Sequence, residues 1–262
     1  MEPQTLGELL AWKPVYPQAV LGDGLLYAQC KLILYGKPES YKSMLVSHLG
    51  LSLSSGKEWL GFATPPEGVS VFYFQLEIPH PLLQLRVDGL QRSLQPYKQD
   101  MWFWTEHYMK LDLPPGLAAI ERVIGSRRPQ VLIIDPIYKV ISGKIVDPTQ
   151  VAVFLDYVDL LIEKYETSVV LVAHTRKGVI GESSDGEDLM GSTFLPWADT
   201  VIRVVAARNT GRREVLRLQF EKVRHATDRL PDREVIFNKD AMTFTYVPEQ
   251  LTKPHLVTKQ GG

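Results

Sequence analysis

Four short apolar runs recur along the chain: Lys31 to Tyr35, Val69 to Leu76, Val131 to Ile134, and Ser168 to Ala173. They are nearly continuous rather than alternating, the pattern of strands buried on both faces of a parallel sheet and covered by helices. The segments between them change period. Val151, Phe154, Tyr157, Val158, Leu161 and Ile162 recur at helical spacing while Asp156, Asp159, Glu163 and Lys164 occupy other faces, which predicts an amphipathic crossover helix. Further helices are expected after Ser43 and from about Leu117 to Ile124.

The C-terminal part reads differently. Asp199 to Ala206 and Glu214 to Phe220 flank Asn209-Thr210-Gly211, and Glu234 to Phe237 and Met242 to Tyr246 flank Asn238-Lys239-Asp240. Turn-forming residues between β-prone runs predict antiparallel strands, here at the edge of the sheet. Ser142 to Gln150 and the Gly-, Ser- and acid-rich Lys177 to Gly191 are expected to be mobile loops, and Lys253 to Gly262 a loosely ordered tail. Leu6 to Trp12 has room for a short helix only, so the expected division is an N-terminal arm over 1–23, one domain over 24–250 and a flexible tail over 251–262.

Composition narrows the class without naming a partner. A chain of 262 residues, 45% hydrophobic and 23% charged, can bury one substantial core. No apolar run approaches the length of a membrane span, and Met1-Glu2-Pro3-Gln4 lacks the basic-then-apolar order of a secretory signal, so a soluble, cytoplasmic protein is expected. The single cysteine, Cys30, cannot form an internal disulfide and reads as a small buried hydrophobe. A net charge of −1 supplies no global field for nucleic acid, so any such contact must be local.

The residues that carry chemistry sit at the ends of the predicted strands. After Lys31 to Tyr35 comes Gly36-Lys37-Pro38-Glu39-Ser40-Tyr41-Lys42-Ser43, followed by the apolar helical run Met44, Leu45, Val46, Leu49. Phosphate binding needs inward-pointing backbone N–H groups at a helix N-terminus, a lysine for the terminal phosphates and a hydroxyl for Mg²⁺. Gly36, Lys42 and Ser43 supply these at the required spacing, so ATP with Mg²⁺ is the expected ligand of the loop from Gly36 to Met44. Tyr41 stands where the pattern usually has glycine, and a side chain there demands an adjusted backbone. The competing reading is a surface turn with an incidental Lys-Ser pair.

Ligands of an open parallel sheet bind beyond the carboxyl ends of its strands, so groups at those ends converge however far apart they are in sequence. Glu77 follows Phe74-Gln75-Leu76, Asp135 follows Val131 to Ile134, and His174 follows Val170 to Ala173. Asp135 with Ser43 suits a hard cation; otherwise it caps the element that follows. Glu77 suits the orientation or deprotonation of an attacking water, or is a solvated strand end. His174 suits a hydrogen bond to the terminal phosphate, or is structural. Between Arg203 and Arg233 the chain is basic, a pattern that usually marks a solvated face. Lys222 and Arg224, two apart on an extended segment, point the same way and could meet one anion on a neighbouring subunit.

Taken together, these segments resemble the RecA-like ATPases of the plasmid RepA-type helicase group, an AAA_25-like family related to ring replicative helicases and more distantly to recombinases. The resemblance rests on Gly36 to Ser43, Ser54 to Gly61, Phe74-Gln75-Leu76-Glu77, Leu132 to Pro136, Ala173 to Lys177, Gly191-Ser192 with Ala198-Asp199, and Phe220 to His225. It implies an α/β RecA-like P-loop core: a mostly parallel sheet flanked by helices, with antiparallel strands at the C-terminal edge. It further implies that Lys42 and Ser43 bind phosphate and Mg²⁺, Asp135 supports the metal, Glu77 is the catalytic base, and His174 senses the γ-phosphate. Lys222 and Arg224 look like a finger pair presented to the ATP of an adjacent protomer in a homo-oligomeric ring, expected to be a hexamer. The loops at Ser142 to Gln150 and Lys177 to Gly191 correspond to those facing DNA in the family, though the second carries Glu182, Asp185, Glu187 and Asp188. The expected function is ATP hydrolysis coupled to single-stranded nucleic acid, as a helicase-like motor in DNA replication. The alternatives are a recombination or repair ATPase forming a nucleotide-gated filament, and a nucleotide-binding scaffold with weak hydrolysis.

Overall fold

In the computed structural model, which describes residues 3–143, 147–175 and 193–248, the apolar runs become inner strands of a nine-stranded sheet. The chain begins with a short helix α1 (Leu6–Ala11) and a small hairpin of β1 (Ala19–Leu21) and β2 (Leu26–Tyr27). Then follow β3 (Lys31–Gly36), α2 (Lys42–Ser55), β4 (Val71–Gln75), α3 (His80–Gln91), β5 (Met101–Thr105), α4 (Pro114–Arg127) and β6 (Val131–Asp135). The remainder is α5 (Pro148–Tyr165), β7 (Ser168–His174), α6 (Phe194–Trp197), β8 (Thr200–Asn209), β9 (Arg213–Val223), β10 (Arg233–Asn238) and β11 (Thr243–Val247). The strand order is β11-β10-β9-β8-β3-β7-β6-β4-β5. From β8 to β5 all neighbours are parallel, and β9, β10 and β11 extend the sheet antiparallel, as expected for a RecA-like core.

The period of two within each inner strand divides the core into two layers. Leu32 and Leu34 of β3 face a layer with Leu45, Val46 and Leu49 of α2 and Leu83 and Leu90 of α3. Ile33 and Tyr35 face the opposite layer, with Ile120 and Ile124 of α4 and Val151, Phe154 and Val158 of α5. Burying each such side chain stabilises the fold by about 1.5–3 kcal/mol. Helix α2 is buried nearly all round because Phe237 and Phe244 of the β10–β11 hairpin cover the side turned away from the sheet. It stops at Gly56, whose φ of 67° supplies the left-handed residue that ends a helix.

Several elements differ from expectation. Strand β5 was not predicted, since its residues are only half-buried at the sheet edge, where it pairs with β4 from Val71↔Met101 to Gln75↔Thr105. Helix α3 was also missed; it enters through Pro79-His80-Pro81 and buries only Leu83, Gly89 and Leu90. Pro148 to Gln150, expected as loop, are the first turn of α5, with the Asp147 side chain accepting from Thr149 N–H at 3.0 Å. Val20 and Leu21 are buried in the core, so the packed region begins ahead of Gly24. Helix α1 has a capping box between Thr5 and Glu8 and buries nothing. The loop expected over 177–191, the tail expected over 251–262 and residues 144–146 of the loop expected over 142–150 lie outside the described residues. Among the described residues, no helix is long and apolar enough to cross a membrane.

Candidate nucleotide-binding site

The loop between β3 and α2 is shaped by close packing and by two left-handed residues. A side chain at Gly36 would put a Cβ 2.3 Å from the Val204 carbonyl oxygen of β8, so only glycine lets these strands meet at the loop's origin. Glu39 and Tyr41 have φ of 63° and 61°. Tyr41 is the residue before α2, which explains why the pattern usually has glycine there. Its ring lies 5.2 Å from that of Phe237, and its hydroxyl donates to Glu214 at 3.3 Å. These contacts with β9 and β10 hold a conformation that costs roughly 1 kcal/mol in a non-glycine residue.

Lys42 is buried at the start of α2, and its Nζ donates to the Lys37 carbonyl at 2.6 Å and the Ser40 hydroxyl at 3.3 Å. Burial lowers its pKa to about 8, against the opposing pull of Asp135 and Glu77. Asp135, at the end of β6, is fully buried, and burial raises its pKa to about 6 although the Tyr73 and Ser43 hydroxyls favour its charged form. Asp135 Oδ2 accepts from Tyr73 at 2.5 Å, while Oδ1 is buried without a hydrogen-bond partner among the described residues. A carboxylate oxygen in that position, beside a serine hydroxyl, fits a hard divalent cation.

Glu77 is exposed beyond β4 and accepts from the Tyr138 hydroxyl. The turn that presents it is fixed by Gln75, whose buried side-chain oxygen accepts from Glu77 N–H at 3.2 Å and Ile78 N–H at 2.7 Å. His174 ends β7 directly opposite Gly36, and Thr175 N–H donates to the Gly36 carbonyl at 3.1 Å. The His174 ring stands edge-on to Tyr138 at 5.7 Å, and burial, with Lys42 nearby, lowers its pKa. Lys42, Ser43, Glu77 and His174 thus border one cavity of about 640 Å³, within the range of ligand pockets. Its far wall is Phe237 and Met242, and Arg86 of α3 joins Lys42 and Lys239 among the lining cations. Sequence reasoning missed Arg86, Tyr73 and Tyr138. Tyr73 lies inside a predicted strand, and nothing in its neighbourhood distinguishes it from core, whereas Arg86 was hidden with the helix that carries it.

Lys222 and Arg224 are not brought to this cavity. Val223 pairs with Thr200, and Thr200 pairs with Leu32 near the amino end of β3, whereas the phosphate-loop residues leave its carboxyl end at Gly36. The separation is about 13 Å at 3.3 Å per strand residue. The two cations do share a side, since both donate to the Pro196 carbonyl, at 3.1 and 3.2 Å. Lys222 also donates to the carbonyls of Leu195 and Ala198, and Arg224 to Asp199 Oδ1 at 2.6 Å. Much of the rest of the basic stretch is ion-paired: Arg208 and Arg217 face Glu234 across the antiparallel strands, Arg212 faces Asp240 between their turns, and Arg233 faces Asp23 of the β1–β2 turn.

The family model described as "AAA domain" (AAA_25) matches residues 2–179, more than half of the chain. The chain belongs to this AAA domain family. It is a nucleotide-binding P-loop ATPase on that ground, with the loop after β3, Glu77, Asp135 and His174 all inside the matched region. The AAA domain match ends before β8, so Lys222 on β9 and Arg224 just after it lie beyond the match. No curated protein matches the chain.

Proposed function

We propose that the cavity binds and hydrolyses ATP with Mg²⁺, and that hydrolysis drives a ring-forming, helicase-like motor on single-stranded nucleic acid. The observation that carries this reading is the opposed arrangement of its two groups of residues. Lys42, Ser43, Glu77, Asp135 and His174 converge at one edge of the sheet, while Lys222 and Arg224 sit together at the other. A cation pair so placed lies away from the cavity of its own chain and would meet the site of a neighbouring copy.

In this reading the loop N–H groups and Lys42 hold the β- and γ-phosphates, and Arg86 reaches the same anion from α3. Ser43 and Asp135 Oδ1 would hold Mg²⁺, which would supply charge neutralisation for the phosphates. Glu77, aimed by the Tyr138 hydroxyl, orients the attacking water and accepts its proton. His174 stands beside Tyr138 and opposite Gly36, where loss of the γ-phosphate would change its hydrogen bonding. Arg224 and Lys222 stabilise the charge of the neighbouring transition state, so turnover depends on assembly.

The same opposed edges would serve a filament, so the test must separate coating from motion. Steady-state ATPase rates with Mg²⁺ should rise on adding single-stranded DNA, and a strand-displacement assay should show unwinding that Glu77→Gln abolishes while ATP binding persists. Turnover indifferent to DNA would sink the motor. DNA-stimulated turnover with cooperative coating but no displacement would move the reading to the filament.

A further inference from the structure

At the sheet edge opposite the cavity, Cys30, Asp199 and His225 bring one sulfur, one carboxylate oxygen and one imidazole nitrogen within 4.8 Å of one another. Cys30 Sγ lies 3.7 Å from His225 Nε2, and Asp199 Oδ1 lies 3.8 Å from the same nitrogen. The convergence on a single nitrogen decides what the cluster can do. A nucleophilic relay needs the thiol on one ring nitrogen and the carboxylate on the other, so that the ring can pass a proton between them. Here both face Nε2, and no such relay is available. Three donors of different chemistry within 4.8 Å of one another suit a cation instead.

Tetrahedral zinc, with bonds of about 2.3 Å to sulfur and about 2.0–2.2 Å to nitrogen and oxygen, spaces its ligand atoms roughly 3.4–3.6 Å apart. The two measured separations exceed that by only a few tenths of an ångström. We propose that Cys30, Asp199 and His225 form a binding site for a zinc-class divalent cation, with a fourth position open to water.

The three ligands come from separate segments that the sheet itself holds in place. Asp199 Oδ2 accepts from Lys31 N–H at 3.0 Å, and Asp199 N–H donates to the Lys31 carbonyl at 2.9 Å, which ties the start of β8 to the start of β3 beside Cys30. The His225 ring rests edge-on against Tyr27 at 5.7 Å. Gly24, with φ of 76°, lets the His225 backbone approach so closely that a Cβ there would lie 2.5 Å from its carbonyl carbon. Cys30 is half-buried, Asp199 buried and His225 exposed, so the cluster is preset yet open to solvent.

A cation at this point competes with a group already present. Arg224 donates to Asp199 Oδ1 at 2.6 Å, the oxygen that also faces His225. Binding therefore draws Asp199 away from the guanidinium. Under the proposed function, on which this one consequence rests, that releases the finger; the cation site itself does not depend on it.

The test is a titration of the full chain with Co²⁺ under reducing conditions, followed by the near-ultraviolet thiolate-to-cobalt band, with displacement by Zn²⁺. A saturable band at one equivalent is expected. Cys30→Ala should abolish it, His225→Ala should weaken binding at least about 100-fold, and Arg224→Ala should tighten it several-fold. Absence of the band, or Zn²⁺ binding unchanged in Cys30→Ala, would overturn the site. An absent band beside intact DNA-stimulated ATPase removes only the cation site, whereas a normal band in a protein without DNA-stimulated turnover removes only the motor.

Discussion

Asp135→Asn tests the electrostatics of the cavity through stability rather than through catalysis. Burial raises the Asp135 pKa from 3.8 to about 6, so the folded protein holds this proton more tightly than the unfolded chain does. A raised carboxylate pKa makes a favourable contribution that is complete below 3.8 and is lost as pH rises through 6. At pH 7.5 the ionised carboxylate therefore costs the fold about 3 kcal/mol, against about 1 kcal/mol at pH 4.5. Asparagine keeps an oxygen for the Tyr73 hydroxyl and does not titrate. Its amide donor adds a constant offset of either sign, so the quantity to follow is the change with pH. Relative to wild type, the variant should gain about 2 kcal/mol between pH 4.5 and 7.5. Urea unfolding of the nucleotide-free proteins measures this, and titration of buried His48, whose pKa burial lowers to about 4, cancels between the two. A stability difference that stays flat across this range, or that shrinks as pH rises, would refute the reasoning.

Three other outcomes follow from the loop. Because burial lowers the Lys42 pKa to about 8, the free protein loses this charge as pH rises through 8, so ATP affinity measured by equilibrium binding should fall across pH 7 to 9. An unchanged affinity would mean that Lys42 does not meet the phosphates. Tyr41→Gly removes about 1 kcal/mol of backbone strain but also the ring's contact with Phe237 and the bond to Glu214, and should destabilise by about 1–2 kcal/mol in thermal unfolding while leaving ATP binding intact. Gly36→Ala places a methyl group against the Val204 carbonyl oxygen and should cost roughly 3 kcal/mol or more, lowering the unfolding midpoint by about 6–12 °C.

How much was legible in the sequence depended on what each residue had to do. The strands β3, β4, β6 and β7 announce themselves because burial on both faces leaves few positions for polar residues, and the groups just beyond them stand out by contrast. That is why Lys42, Glu77, Asp135 and His174 could be named before their convergence was known. β5 and α3 lie at the margin of the sheet, where half-buried surfaces carry mixed composition and no period dominates. Arg86 was lost with α3. Tyr73 and Tyr138 are tied to Asp135, Glu77 and His174, and such pairings across the fold leave no local pattern. Tyr41 was recognised as a departure, but that its ring is anchored by Phe237 and Glu214 depends on contacts with strands far along the chain.

If one protomer's Lys42 and another's Arg224 complete a single site, as proposed, mixing two inactive variants tests it most directly. Lys42→Ala and Arg224→Ala should each lose DNA-stimulated ATPase activity. Co-assembled from a mixture, they should regain part of it, because some interfaces then pair an intact phosphate loop with an intact finger. A mixture as inactive as its components, under conditions where the two demonstrably co-assemble, would contradict the account.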